Sequence, residues 1–155
     1  KERVRKHIAI EILLNMIIGK SSKLYKGLYD EGILFATPSL DYEFARGYAH
    51  ILITGQSPEP EKVFDRFKNT VEEMKKTGVN SEEFNRIKKR IYGEYVKEYN
   101  DVADIARMFL ADFFKEINSF DYLEEINTVN EQYAEQILNE IFDDKKMIIS
   151  VIKKA

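Results

Sequence analysis

Few residues in this chain have the right type and spacing to do chemistry. Its 155 residues include two histidines, no cysteine and no tryptophan. Disulfides, thiolate nucleophiles and cysteine-bound zinc are therefore excluded. His7 precedes Glu11 by four residues, so on a helix the two share a face and form a possible two-donor metal clip. A catalytic zinc takes three protein ligands and keeps an open position for water. The second histidine, His50, lies in a distant segment of strand-like alternation. We therefore expect no metal ligand and no catalytic residue. His7 and Glu11 read as part of a polar stripe meeting solvent or a buried partner, and His50 as a half-buried strand residue with a satisfied ring nitrogen.

Other reactive patterns fail on their context. Gly19-Lys20-Ser21 looks like the end of a phosphate loop, but it lacks the first glycine and follows a helix where that loop needs a strand. There is no G-x-S-x-G elbow and no G-x-G-x-x-G turn. The acidic pairs Asp30-Glu31, Glu82-Glu83, Glu124-Glu125 and Asp143-Asp144 sit where helix ends and solvated faces carry charge. Lys88-Lys89-Arg90 falls on the polar side of an amphipathic pattern.

The elements that must position these groups follow from periodicity. Residues 8–18 are almost wholly apolar, while Arg3, His7, Glu11 and Asn15 recur every four residues. That pattern predicts a helix buried on most sides with one narrow polar stripe. Gly19 suits its end, and Ser21 or Ser22 suits the cap of a short second helix that stops at Gly32. Residues 33–36 read as a strand. Residues 40–54 read as a second, alternating strand, with Leu40, Tyr42, Phe44, Arg46, Tyr48, His50 and Leu52 in one set, and a hairpin joins the two strands. Pro58 and Pro60 turn the chain into a helix carrying Val63, Phe67, Val71 and Met74. Asn80 with Glu83 opens the next helix, and Thr128 with Glu131 opens a later one, both as capping boxes. Asn100 and Asp101 interrupt or bend the helical run between them, and most phenylalanines and tyrosines fall at core spacing. Residues 147–152 read as a short buried closing strand. The class is α+β: a small antiparallel or mixed sheet packed against several helices, in one domain spanning 1–155.

Composition narrows the partners. With 24 Lys plus Arg against 27 Asp plus Glu the net charge is −3, which disfavours a nucleic-acid or acidic-membrane surface. The longest apolar run is about half of the ~20 residues a membrane span requires. We expect a cytoplasmic protein. The sequence opens on Lys1 rather than methionine, and we read it as a fragment of a longer parent.

The segment Gly19-Lys20-Ser21-Ser22-Lys23-Leu24-Tyr25 through Leu28-Tyr29-Asp30-Glu31-Gly32-Ile33-Leu34-Phe35 resembles a signature in the second half of insulinase-like (pitrilysin-type) zinc peptidases and their processing-peptidase relatives. The stretch Ile51-Leu52-Ile53-Thr54-Gly55, the turn Ser57-Pro58-Glu59-Pro60 and the opening Gly78-Val79-Asn80-Ser81 extend the resemblance along nearly the whole chain. It is nearest a bacterial branch that occurs as paired chains. The resemblance implies a non-catalytic half-domain that completes a chamber around a peptide substrate. Zinc would belong to the missing first half, whose H-x-x-E-H motif is not in this chain. Its partners would be that zinc-bearing half, a paired family chain, or both. Many second halves carry an Arg and a Tyr that grip the substrate carbonyl. The matching positions here are Tyr29 and Phe35, substrate-facing positions stripped of those groups, so their replacement is expected to affect stability more than turnover. Two other readings remain: a catalytically inactive family member serving as an assembly subunit, and an unrelated α+β interaction domain.

Overall fold

The fold is organised around its first helix. The computed structural model describes residues 1–153. Helix α1 (Glu2–Ile18) buries ten of its 17 residues, so it lies inside the molecule and not on its surface. It touches the β-hairpin and five of the other six helices. Ile8, Ile12, Leu13 and Ile17 are fully buried against Phe67 and Val71 of α3 (Pro60–Thr77), Phe84, Ile87 and Ile91 of α4 (Ser81–Glu98), and Ile137 and Leu138 of α7 (Glu131–Ile141).

Helix α2 (Lys23–Asp30) starts where Ser22 Oγ accepts from Tyr25 N at 3.0 Å. Its end explains why residues 33–36 are not a strand. Gly32 N donates to the Tyr29 carbonyl at 3.0 Å and Ile33 N to the Leu28 carbonyl at 2.8 Å. Gly32 has a φ of 71°. This is a Schellman closure, in which a left-handed residue lets the next two amides turn back onto the helix. Leu34 N also bonds the Leu28 carbonyl. The amides that a strand would use are already committed, and Ile33 and Leu34 pack with Tyr25 and Leu28 in a small second cluster.

The hairpin instead folds within residues 39–54. β1 (Ser39–Ala45) and β2 (Tyr48–Thr54) pair antiparallel around Arg46-Gly47, where Gly47 has a φ of 95°. Reversal at a two-residue turn changes the facing parity. Leu40, Tyr42 and Phe44 therefore share the inner face with Ala49, Ile51 and Ile53. His50 and Leu52 go to the outer face opposite Glu43 and Asp41. A single uninterrupted alternation put His50 and Leu52 with Tyr42, and it put His50 at half burial. Both readings are corrected here, because His50 is exposed.

Asp101 is the break before α5 (Val102–Phe114), and its carboxylate accepts from Ala103 N and Asp104 N. Asn80 caps α4 by accepting from Glu83 N at 2.9 Å, as its position suggested. Helix α7 is capped by Asn130, not Thr128; the Thr128 hydroxyl donates to the Glu125 carbonyl. Helix α6 (Asp121–Glu125) is a single short turn. Among the described residues the sheet has two strands, and residues 147–152 form no ladder. Ile148 and Ile152 are 91% and 98% exposed, so the expected buried closing strand is corrected to an unpaired segment. The α+β class stands, on a smaller sheet than the three strands expected. No helix of the described residues is long and apolar enough to cross a membrane.

Candidate functional site

The polar stripe of α1 is a seam bonded to later parts of the chain, exposed at Arg3 and half-buried at His7, Glu11 and Asn15. Arg3 donates to the Glu116 carbonyl, His7 Nδ1 lies 2.8 Å from the Tyr122 hydroxyl, and the Tyr95 hydroxyl donates to Glu11 Oε2. Asn15 Oδ1 accepts from Arg90 at 2.7 Å. Each residue of the stripe has its own partner 75 to 115 positions away. His7 and Glu11 thus answer to two separate phenols and do not act as a clip.

The electrostatics follow from this enclosure. Burial, with a smaller push from Lys115, lowers the His7 pKa to about 4, so the ring is neutral at pH 7. It packs edge-on to Phe44 and Tyr122 at 5.4 and 5.5 Å. Burial raises Glu11 against the opposing hydrogen bond from Tyr95. It raises Asp112 and Glu98 as well. The two phenols move up strongly, mainly through burial and then through neighbouring carboxylates.

Beside the seam lies a cavity of about 350 Å³ between α1, β1, α4, α5 and α6, lined by His7, Glu11, Tyr42, Tyr99 and Asp112 among others. No signal in the sequence pointed to Asp112, because Phe109, Leu110 and Phe113 around it fall at helical core spacing. Asp112 is 6% exposed, and the buried Ser119 hydroxyl beside its carboxylate, with Lys115, holds its pKa down against the upward push of burial.

The donor set does not fit a catalytic zinc. His7 is held by Tyr122, and His50 is exposed on the outer face of the hairpin. Among the described residues no three His, Asp or Glu side chains gather closely enough to hold a metal ion. Lys88 and Arg90 are used in packing: Lys88 donates to the Val129 carbonyl at 2.6 Å, and Arg90 reaches Asn15 and Glu94.

The two residues singled out near α2 sit on an exposed face. Tyr29 is 54% exposed on the last turn of α2, its ring 5.9 Å from that of Tyr25. Phe35 is 68% exposed in the loop that follows the Schellman closure. Neither belongs to the buried core. The turn nearby is secured by Ser57 Oγ donating to the Ile33 carbonyl and by a two-pronged Arg66–Glu31 pair at 2.7 Å.

Comparison with known families is decisive. The profile of the peptidase M16 inactive domain matches residues 2–91, more than half of the chain. The chain belongs to this M16 family. Along its whole length it is 24% identical to an uncharacterized zinc protease, YmfH, of Bacillus subtilis (strain 168), of which it covers 36%. It also superposes on the crystal structure of a putative M16-like peptidase from Alicyclobacillus acidocaldarius with a TM-score of 0.83, at 22% identity, covering 90% of this chain and 34% of the other. The chain therefore spans about a third of the length of either relative. The M16 match ends at Ile91, so α1 to most of α4 carry the family pattern. Tyr95, Asp112 and Tyr122, which complete the seam and the cavity, lie beyond it.

Proposed function

We propose that this M16 inactive domain is the non-catalytic half of a zinc-dependent endopeptidase and completes a chamber that holds the peptide while a zinc-bearing half hydrolyses it. The observation that carries this reading is the family match over residues 2–91 together with the likeness to a longer protein named a zinc protease. The donor set supports it: among the described residues neither histidine has a second histidine or a carboxylate pair with which to hold zinc. Tyr29 and Phe35 are exposed aromatic rings on neighbouring segments, suited to packing along a bound peptide. Its partners are then the zinc-bearing half, a paired family chain, or both, and a peptide substrate.

The test is reconstitution. A zinc-bearing half expressed alone should cleave a quenched peptide slowly, and adding this domain should restore turnover. In the complete enzyme Tyr29→Ala and Phe35→Ala should raise KM while leaving the melting temperature in place. Full activity without this domain, or peptide cleavage by this domain alone, would overturn the reading. A second reading, an inactive assembly subunit, is favoured by the apolar surface of α5, where Leu110, Phe113 and Phe114 are 59%, 73% and 75% exposed. It predicts a parent without the zinc motif and a stable complex without turnover.

A further inference from the structure

We propose that α5 is a lid over the cavity between α1, β1, α4 and α6, lifting as an intact helix on hinges at residues 99–101 and 115–118. Its position sets whether that cavity is open to solvent. The device is separate from the Tyr29–Phe35 face and does not depend on the chamber reading.

The first observation is how lightly α5 is held. Of its 13 residues only Asp112 is fully buried, and Ile105 and Met108 are half-buried. Val102, Leu110, Phe113 and Phe114 are already more than half exposed. Burial of an apolar face is what usually holds a helix down, and lifting this one takes little further apolar surface into water. The side chain it would release is a carboxylate. Removing such a group from water is costly, and burial raises the Asp112 pKa while the Ser119 hydroxyl and Lys115 oppose that push. Two ring contacts add to the closed position. Lys115 Nζ lies 5.0 Å from the centre of the Phe44 ring, and the Phe109 ring stands edge-on to Phe120 at 5.3 Å.

The second observation is the form of the two joints. α5 closes both of its ends with groups at its own termini, so it keeps its caps when it moves. The Asp101 carboxylate accepts from Ala103 N and Asp104 N at 2.8 and 3.0 Å. At the other end Glu116 N donates to the Phe113 carbonyl and Ile117 N to the Asp112 carbonyl, each at 3.1 Å, a Schellman closure. Glu116 has a φ of 57°, the left-handed position that glycine normally fills, and a side chain there stores strain. Arg3 holds this strained residue by donating to its carbonyl at 3.3 Å. At the first joint Tyr99 ends α4 and Asp101 is extended, with Asn100 alone between them. Hinges of this kind need only a few torsions to change.

The third observation is what the lid covers. Met108, Asp112 and Lys115 of α5 line one side of the cavity of about 350 Å³, while His7 and Glu11 of α1 and Tyr95 of α4 line another. An open lid gives water access to the α1 seam and leaves the core around Ile8, Ile12 and Ile17 in place.

Electron–electron distance measurements between nitroxide labels test this on the purified chain, which has no cysteine of its own. Labels at Lys89→Cys on α4 and Leu110→Cys on α5 should give two resolved distances, and a reference pair at Lys89→Cys and Gln136→Cys on α7 should give one. All three positions are exposed, so folding is not at stake. Phe120→Ala removes the ring against which Phe109 and Tyr99 rest, at a position 51% exposed. It should raise the proportion of the second distance at least twofold and leave the reference pair unchanged. A single narrow distance for the α5 pair would overturn the proposal. So would a broad featureless distribution, which means that α5 melts and does not lift, or two distances that Phe120→Ala leaves in the same proportion.

Discussion

Helices α1 and α5 are both rich in apolar residues and have opposite fates. α1 sinks Ile8, Ile12, Leu13 and Ile17 to complete burial and turns its four polar residues into a bonded seam. α5 leaves Val102, Leu110, Phe113 and Phe114 more than half exposed, and the one side chain it buries fully is the carboxylate of Asp112. What differs is what packs against them. α1 is enclosed by the hairpin and by α3, α4 and α7, whereas nothing among the described residues covers the outer side of α5. Burial is a property of neighbours, and the apolar content of a helix does not by itself place it inside.

The comparison can be broken most directly by equal truncations. Leu13→Ala on α1 should destabilise by about 2–5 kcal/mol, the loss of buried contacts plus a cavity. Leu110→Ala on α5 should stay within about 0.5 kcal/mol. Urea unfolding of the two variants checks this, and comparable losses would mean that α5 is covered in solution.

Acid tests the seam next. The His7 pKa is depressed from 6.5 to about 4 in the folded chain. Between those values the unfolded chain binds the extra proton, so stability rises with pH across that window and is lost as pH falls through it. The full shift corresponds to about 3 kcal/mol. His7→Gln, which keeps a polar partner for Tyr122, should flatten the stability curve between about pH 4 and 6.5. Glu11 is raised and works with the opposite sign, so a double variant with Glu11→Gln should isolate the histidine contribution. An unaltered slope in His7→Gln would show the ring to be solvated.

A smaller effect is expected from Tyr95→Phe. It strips Glu11 of its hydroxyl donor and should cost about 1–3 kcal/mol, the penalty of an unpaired buried polar group. The smallest contrast lies on α5. Asp112→Asn removes a charge that burial disfavours, so at pH 7 it should gain up to about 1 kcal/mol. A loss there instead would mean that the contacts of Asp112 with Ser119 and Lys115 outweigh the cost of its burial.

Much of this was legible in local sequence. The buried first helix with its four-residue polar stripe, the caps at Ser22 and Asn80, the break at Asp101 and the α+β class all follow from patterns a few residues long, because helix periodicity and capping are local effects. The same signals carried the resemblance that the M16 match bears out. Tertiary structure decided the rest. Residues 33–36 are branched and apolar like a strand, yet the Schellman closure at Gly32 takes their amides. The turn at Arg46-Gly47 reverses which alternate residues face inward. Residues 147–152 have the composition of a buried strand but no strand beside them to complete a ladder. Periodicity shows that His7 and Glu11 share a face; it cannot show that Tyr122 and Tyr95 meet them there. Those partners lie 115 and 84 residues away, and only packing of the whole chain brings them, and the buried carboxylate of Asp112, to the same cavity.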